Sequence, residues 1–406
     1  MDRLKVAIVG GGAAGFFAAI QVKENYPDAD VRIFEKSSKV LSKVKVSGGG
    51  RCNLAHYDID IEELSKAYPR GRRFLKRAFY TFSALDTMQW FETRNVPLVV
   101  QPDQCVFPKS QQSQSVIDVF LQETSRLGIH IKTGFGVQEL ISKDHKLKLI
   151  FSKGQPPQLF HKVIIAIGGM PKRKNLDWLA TLGHTIENPV PSLFTFNMPD
   201  ESITRLMGIV VQKTQVTIRG SKFHAAGPLL ITDWGMSGPA ILKLSSVAAR
   251  YLSEKEYHFQ IQVNWVDQRN NERVATALYN IIATHPNKML LSVKPFALPE
   301  RLWEFLLNKM EMSSSKKWNE LGKKGVSKIV QFLTNDPYKV QGKTTFKEEF
   351  VTCGGVSLKS IEPNTMQSKV VKNLYFAGEI LDMDGITGGY NFQAAWTTGF
   401  IAGKLK

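Results

Sequence analysis

The sequence has few cysteines, no long hydrophobic run and fewer acidic than basic residues. Its three cysteines (Cys52, Cys105 and Cys353) form no CxxC pair, which argues against a zinc site and suits a reducing cytoplasm. No stretch of about 18 uncharged apolar residues occurs, so no transmembrane helix or membrane partner is expected. A first strand that begins at Lys5 leaves no room for a signal peptide, and we therefore expect a cytoplasmic protein. The cysteine pattern leads us to expect no metal site.

The charge balance points towards an anionic partner. Lys and Arg total 53 against 36 Asp and Glu, which gives a net charge of +17, and a field of this sign attracts polyanions such as nucleic acid. Five of the ten residues 68–77 are basic. Smaller basic groups lie at 36–45, 172–174 and 316–328. The alternative is a basic surface that only favours solubility. The predicted RNA contacts are Arg70, Arg72, Arg73, Lys76 and Arg77.

Residues 5–35 have the pattern of a dinucleotide-binding βαβ unit. An apolar strand, Lys5–Val9, leads directly into the glycine-rich residues 10–15, and a helix and a second strand follow. The glycines permit a tight turn, close approach of a pyrophosphate and close helix–strand packing, while the helix N-terminus favours phosphate. Glu35 lies 20 residues after Gly15, where a carboxylate can bind ribose hydroxyls.

Two further glycine-rich segments complete the predicted site. Residues 47–53 place three glycines beside Arg51, which suits a diphosphate or the polar edge of a ring system, and Arg51 could tune the pKa of Cys52. Cys52 is either a proton donor or a packing residue. Residues 374–391 read as a strand and a glycine loop, followed by a helix whose N-terminus could face the N1–C2=O edge of a reduced flavin. The predicted cofactor-binding residues are Gly10, Gly12, Ala13, Ala14, Gly15, Glu35, Lys36, Ser47, Gly48, Gly49, Gly50, Arg51, Cys52, Asn53, Val137, Gly168, Gly378, Glu379, Gly388, Gly389, Tyr390 and Asn391.

The pattern of apolar and polar residues along the chain predicts an α/β protein with an insertion. Single helices are predicted at 73–91 and 113–126, and a parallel core strand at 159–167 ends before Gly168. Ser237 reads as the cap of a helix that has Pro239 in its first turn. The predicted domains are a nucleotide domain (1–189 and 350–406), a β-rich insertion (190–271 and 336–349) and a helical insertion (272–335).

Several motifs together resemble the bacterial BaiN-like flavoproteins, a family of NAD(P)/FAD-dependent oxidoreductases. They are residues 47–53, 237–240, 352–356, 365–368, 375–379 and 388–391. The resemblance implies FAD in a glutathione-reductase-like Rossmann domain, with a β-barrel-like domain and a helical domain inserted. The chain departs from the family at Asp233, where the resemblance leads us to expect His.

The resemblance implies hydride transfer to an electron-poor C=C bond, with an acid that protonates the α-carbon. The favoured substrate is uridine in large-subunit ribosomal RNA, reduced to dihydrouridine, because a steroid needs an apolar pocket and not a +17 surface. The alternatives are a reductase of small enones of the bile-acid type and a flavin-containing RNA-binding protein without turnover. No second GxGxxG unit is present, so NAD(P)H, the expected reductant, would dock transiently at the flavin; the alternative is that electrons arrive from another donor. Cys52, Tyr390 and bound water are the candidate proton donors.

Overall fold

The computed structural model describes residues 3–143, 145–344 and 351–406. The chain divides into two compact units, Met1–Ser192 with Phe346–Lys406 and Leu193–Thr345. The first predicted domain boundary, 189/190, lies three residues before the observed one, and the second, 349/350, falls outside the described residues. Within the described ranges, no helix has the length and apolar character needed to cross a membrane.

Twenty strands and thirteen α-helices occur in the described residues. The strands are β1 Lys5–Val9, β2 Asp30–Glu35, β3 Ala55–His56, β4 Leu98–Val100, β5 Cys105–Pro108, β6 His130–Thr133, β7 Val137–Lys143, β8 Lys146–Phe151, β9 Gln158–Phe160, β10 Lys162–Ile165, β11 Ile186–Ser192, β12 Thr195–Asn197, β13 Val210–Ile218, β14 His224–Thr232, β15 Gly235–Ser237, β16 His258–Asn264, β17 Asp336–Gln341, β18 Lys343–Thr344, β19 Val351–Val356 and β20 Leu374–Phe376. The helices are α1 Ala13–Asn25, α2 Ser42–Gly50, α3 Ile61–Lys66, α4 Arg72–Phe79, α5 Ala84–Glu92, α6 Gln114–Arg126, α7 Asp177–Thr181, α8 Pro239–Val247, α9 Ala249–Glu254, α10 Asn271–Thr284, α11 Glu300–Lys309, α12 Gly322–Asn335 and α13 Tyr390–Ala402.

The first unit is built on a five-stranded parallel sheet in the order β20-β10-β1-β2-β6. Its central strands are continuous apolar runs with almost no exposed surface, as expected for strands that are covered on both faces. Because all five strands are parallel, their carboxyl ends lie at one edge of the sheet. Gly10, Glu35, Gly168 and Gly378 all lie at or just after strand ends at this edge. The predicted α/β Rossmann architecture is confirmed.

Helices α1 and α13 pack at very short range because α13 has glycines where it meets α1. A side chain on Gly399 would begin 2.8 Å from the carbonyl oxygen of Ala14, and one on Gly403 would begin 2.8 Å from that of Ala18. Any larger residue at these positions would therefore force the two helices apart. The contact couples the first helix of the unit to the last helix of the chain.

The predicted helix at 73–91 is wrong as a single element, because the chain forms α4 and α5 with a break between them. Ser83 begins α5 with a capping box: its hydroxyl accepts from the Asp86 N–H at 3.3 Å, and Asp86 accepts from the Ser83 N–H at 2.6 Å. These side chains satisfy the first N–H groups of α5 and compete with continuation of α4.

The predicted strand at 159–167 is also two elements. β9 pairs antiparallel with β8, whereas β10 pairs parallel with β1 in the central sheet. The chain changes sheets at His161, whose N–H donates to the Lys5 carbonyl at 2.9 Å and whose Nδ1 accepts from the Lys5 N–H at 2.9 Å. The parallel core strand before Gly168 is confirmed for β10 alone.

The second unit contains a seven-stranded antiparallel sheet in the order β17-β16-β13-β14-β15-β12-β18, with α8 to α12 in the same unit. The segment 272–335 contains α10, α11 and α12, and it lies in the same compact unit as the β-rich segment that we predicted to be a separate domain. The predicted cap of α8 is wrong, because Ser237 is the last residue of β15 and Gly238 is the N-cap. Gly238 has φ of 91° and lies against the backbone of residues 228–230, where a side chain would not fit. Pro239 begins the helix as predicted.

Candidate dinucleotide and redox site

The turn after β1 depends on three glycines that do different work. Gly10 has φ of 116°, and a side chain there would begin 2.3 Å from the Ala166 carbonyl oxygen. A side chain on Gly15 would begin 2.0 Å from the Gly10 carbonyl oxygen, so this position is closed by the backbone. Gly12 differs, because a side chain there would meet no atom within 4 Å. The turn therefore packs closely against the backbone at Gly10 and Gly15, and it has free space in front of Gly12.

This open face is the N-terminus of α1, and it fits a dinucleotide. Gly12 is the N-cap and provides no side-chain hydrogen bond, so the first N–H groups of the helix have no capping partner. Unpartnered N–H groups and the positive end of the helix dipole suit a diphosphate. The predicted residues Ala13, Ala14 and Gly15 form the first turn of this helix.

Two carboxylates stand at the carboxyl edge of the sheet and brace the loops around it. Glu35 accepts the N–H groups of Gly11 and Ser37, both at 2.8 Å. Glu379 accepts the Thr352 N–H at 2.8 Å and pairs with Lys43 at 2.7 Å. A ribose or ribityl contact for either carboxylate stays a prediction.

Three other residues predicted to bind the cofactor lie near these carboxylates. A side chain built on Gly168 would begin 4.0 Å from Glu379 Oε2. The Phe135 N–H donates to the carbonyl of Glu35 at 2.9 Å, which brings the chain close to Glu35 just before half-buried Val137. Lys36 is exposed immediately after Glu35.

The segment 47–53 is the end of α2 followed by a left-handed turn. Gly48, Gly49 and Gly50 have φ of 57°, 67° and 84°, a region that glycine adopts without strain. The turn is closed by the Cys52 N–H, which donates to the Ser47 carbonyl at 2.9 Å, and Gly50 accepts the Ser113 N–H at 2.8 Å. Side chains on Gly49 or Gly50 would meet no atom within 4 Å, so this turn is open like the one at Gly12.

Cys52 lies beneath this turn and is completely buried. Burial raises the pKa of its thiol to about 12, partly opposed by a hydrogen bond from Ser47. Arg51, which we expected to tune this pKa, instead donates to the Gly48 carbonyl at 3.1 Å and stands 4.2 Å from the ring centre of Phe107. The thiol environment is therefore set by burial.

The N-terminus of α13 forms the second glycine-led helix start. Gly389 is its N-cap with φ of 90°, and a side chain there would begin 2.5 Å from the Ala55 carbonyl and 2.7 Å from Asn53 Oδ1. This contact brings the turn at 47–53 and the loop at 388–391 together; that they bind a cofactor stays a prediction. The Asn391 side chain closes the loop by accepting the Gly385 N–H and donating to the Gly385 carbonyl, both at 2.9 Å.

Tyr390 is the first residue of α13 and is held on three sides. Its backbone carbonyl accepts the Tyr68 hydroxyl at 2.7 Å, and its own hydroxyl donates to Asp58 Oδ2 at 3.2 Å. Its ring stacks on His56 with ring centres 4.7 Å apart and planes 19° apart. Burial is the main cause that raises the pKa of Tyr390, and Asp58 adds to it.

Sequence reasoning missed His56 and Asp58. They lie three and five residues after Asn53, and no motif marks them. Only their contacts with Tyr390, 334 and 332 residues further along the chain, single them out.

The predicted RNA contacts divide into three groups. Arg70 does not fit the prediction: it forms an ion pair with the fully buried Asp384, and 12% of its side chain is exposed. Arg72 pairs with Glu62 at 2.6 Å and Lys76 pairs with the other oxygen of the same carboxylate. Arg73 and Arg77 are exposed on α4, and the described part of the chain provides neither with an ion-pair partner.

Comparison with known proteins shows which family the chain belongs to. A family described as "HI0933-like protein Rossmann domain" matches residues 4–405, almost the whole chain. The chain belongs to the HI0933-like family. The predicted family resemblance is thereby confirmed.

Two curated proteins resemble this HI0933-like chain over nearly its full length. A protein of Clostridium scindens named 3-dehydro-bile acid delta(4,6)-reductase is 26% identical over 410 residues, 98% of each chain. A protein of Haemophilus influenzae named ribosomal RNA dihydrouridine synthase is 26% identical over 403 residues, 97% of this chain and 96% of the other.

Among solved structures, a 3-ketosteroid-delta4-(5alpha)-dehydrogenase from Rhodococcus jostii has a TM-score of 0.51 at 11% identity. The superposition covers 98% of the HI0933-like chain and 97% of the dehydrogenase chain. At this identity the likeness shows a shared fold. Together with the family match and the parallel sheet, it supports the Rossmann-like architecture.

Two glycine substitutions in the HI0933-like protein separate cofactor affinity from stability. Gly12→Ala adds a methyl group to open space, so we expect an unchanged melting temperature of the cofactor-free protein and cofactor binding weakened at least tenfold. Gly15→Ala drives a methyl group into the Gly10 backbone and should cost about 1–3 kcal/mol of stability. Thermal melts and equilibrium dialysis with FAD check both; equal stability losses would contradict this reading of Gly12.

The buried thiol of Cys52 should be chemically inert in the folded protein. With a pKa of about 12, only on the order of 10⁻⁴ of this thiol is ionised at pH 8, and no surface is open to a reagent. Iodoacetamide at pH 8 followed by peptide mass spectrometry should find Cys52 unmodified. The same treatment in denaturant should modify all three cysteines, and labelling at equal rates in both conditions would contradict the assignment.

Proposed function

We propose that this protein is an FAD-dependent reductase of electron-poor C=C bonds and that its substrate is uridine in large-subunit ribosomal RNA. The observation that carries the proposal is the pair of glycine-led helix N-termini, α1 at Gly12 and α13 at Gly389, in one unit with the open turn at 48–50. The two full-length relatives are both named for products or substrates of C=C reduction.

The spacing of the two helix starts suits an extended dinucleotide. Gly399, where α13 meets the first turn of α1, lies nine residues after Tyr390, which corresponds to about 14 Å along the helix axis. In this proposal α1 binds the diphosphate, Glu35 binds the ribose, and the turns at 48–53 and 388–391 hold the ring system. When bound, the flavin supplies hydride to the substrate. The N-terminus of α13 would stabilise negative charge at the ring edge.

The electron donor in this proposal is NAD(P)H. The sequence has no second GxGxxG unit with a strand and a helix around it. NAD(P)H would therefore dock transiently beside the bound flavin, without a nucleotide-binding domain of its own.

The basic surface favours RNA over a small enone. The net charge is +17, and Arg73 and Arg77 present exposed guanidinium groups on one helix face. A uridine within a folded RNA must be unpaired or flipped out to reach a reduced flavin, and the flanking phosphates need cationic contacts. The second candidate, a bile-acid-type enone, is favoured by the relative from Clostridium scindens, which has equal identity.

The identity of the acid also belongs to this proposal. Cys52 and Tyr390 are the predicted donors among the side chains. Both have a raised pKa, chiefly because they are buried, and a raised pKa makes each a weaker acid at neutral pH.

The reaction can be tested under anaerobic conditions. The bound flavin is photoreduced, mixed with unmodified large-subunit RNA or assembly intermediates, and dihydrouridine is measured by mass spectrometry against an enzyme-free control. A parallel reaction contains a 3-dehydro-Δ4,6 bile acid. Dihydrouridine formation is the expected result. Enone reduction with unmodified RNA would overturn the RNA proposal, and a flavin that stays reduced with both substrates would overturn the reductase proposal.

Neutralising the exposed arginines should weaken RNA binding without affecting a small substrate. For Arg73→Ala with Arg77→Ala we expect the slope of log affinity against log salt to fall by about 1.5, because two phosphate contacts are lost. The control, Lys143→Ala with Lys153→Ala, removes the same net charge from exposed positions outside the predicted RNA contacts. Equal effects of the two double variants on RNA affinity would contradict a specific role for α4.

A further inference from the structure

Asp58 joins two side chains that come from different parts of the first unit. Its Oδ2 atom accepts the hydroxyl of Tyr390, at the start of α13, at 3.2 Å. The same oxygen lies 3.0 Å from Nδ1 of His56, the last residue of β3. His56 and Tyr390 are also stacked face to face, so the three side chains form one compact cluster.

The cluster borders the glycine loop that precedes α13. A side chain built on Gly388 would begin 3.5 Å from Cδ2 of His56 and 3.0 Å from the Tyr390 ring. Cδ2 is bonded to Nε2, so the ring edge that bears Nε2 is next to this loop, while Nδ1 faces Asp58. The His56 side chain keeps 16% of its surface exposed and Asp58 keeps 23%. His56 thus has its Nδ1 atom beside Asp58 and the opposite edge of its ring close to the predicted redox site.

The contact between His56 and Asp58 is short, although Nδ1 makes no aligned hydrogen bond with any described group. The Asp58 side chain therefore occupies the Nδ1 side of the ring, and Nε2 is left on the side of the glycine loop.

The other ionisable groups of the cluster stay uncharged at neutral pH. Tyr390 and Tyr68 both have a pKa raised by burial, and burial raises the pKa of Cys105, opposite His56 in the β3–β5 pair, to about 11. Among these neighbours Asp58 is the group whose carboxylate oxygen lies against Nδ1 of His56. The hydroxyl of Tyr390 donates its hydrogen bond to Asp58, so its proton is already engaged.

We propose that His56 is the proton donor of the reduction and that Asp58 and Tyr390 are the residues that position it; this inference rests on the proposed function. After hydride reaches C6 of uracil, the Nε2–H bond of the imidazolium breaks and a C5–H bond forms. His56 is left neutral and takes a proton from solvent, so each turnover consumes one hydride and one proton. In an enone the same proton goes to the α-carbon.

The first test probes the His56–Asp58 contact without any turnover. The oxidised holoprotein is labelled with ¹⁵N-histidine, and the His56 signals are assigned by their loss in His56→Gln. Asp58→Asn should change the ¹⁵N chemical shift of Nδ1, which lies 3.0 Å from Asp58, more than that of Nε2. An unchanged Nδ1 signal would overturn the His56–Asp58 contact.

The second test uses the rate of C=C reduction by photoreduced protein in a single turnover. His56→Gln should slow this step at least 100-fold while flavin binding is retained, and the control His285→Gln, an exposed histidine of the second unit, should react like wild type. Asp58→Asn should slow the same step while flavin binding is retained. Asp58→Glu, which keeps a carboxylate, should recover part of the rate, which a purely structural defect would not do.

The outcomes separate this inference from the function beneath it. If wild type reduces uridine or the enone and His56→Gln keeps the wild-type rate, the inference is overturned and the proposed function stands. If wild type reduces neither substrate, both are overturned. Tyr390→Phe keeps the stacking but removes the hydroxyl that donates to Asp58, and we expect it to slow the single turnover less than His56→Gln does. A loss as large as that of His56→Gln would assign the proton to Tyr390 instead.

Discussion

The close crossing of α1 and α13 is the constraint on which the candidate site depends. Glycines at 399 and 403 let the last helix lie directly against the backbone of Ala14 and Ala18. The same approach includes Gly378, where a side chain would begin 2.8 Å from Cβ of Ala14. Two segments more than 360 residues apart in sequence therefore present their helix N-termini within one unit.

Burial and pairing decide which of the many ionisable groups are available for chemistry. Arg70 neutralises the buried Asp384, and Glu62 takes up Arg72 and Lys76. Cys52 and Tyr390 are held in their neutral forms by their surroundings. Of the predicted RNA contacts, this leaves Arg73 and Arg77 exposed on α4 without an ion-pair partner in the described residues, and the structure adds a histidine beside a carboxylate at the glycine loop.

The agreement between sequence and structure is best where local patterns carry the information. The βαβ unit at the start of the chain and the parallel strand β10 follow from apolar runs and glycine spacing. Agreement fails where side chains redirect the backbone. Ser83 and Asp86 cap a new helix inside an apolar helical pattern, and His161 moves the chain from one sheet to another within a single predicted strand. Periodicity cannot detect either event, because each depends on a partner outside the pattern.

The sequence by itself determined the Rossmann unit, the family and the three glycine-rich segments, because glycine spacing and strand composition are local properties. Tertiary structure alone decided which of the candidate side chains are buried, paired or stacked. Burial of Cys52, the withdrawal of Arg70 into an ion pair and the stacking of His56 on Tyr390 all arise from contacts between distant segments. The pKa and reach of a side chain depend on what surrounds it in space, and the order of residues along the chain does not record that.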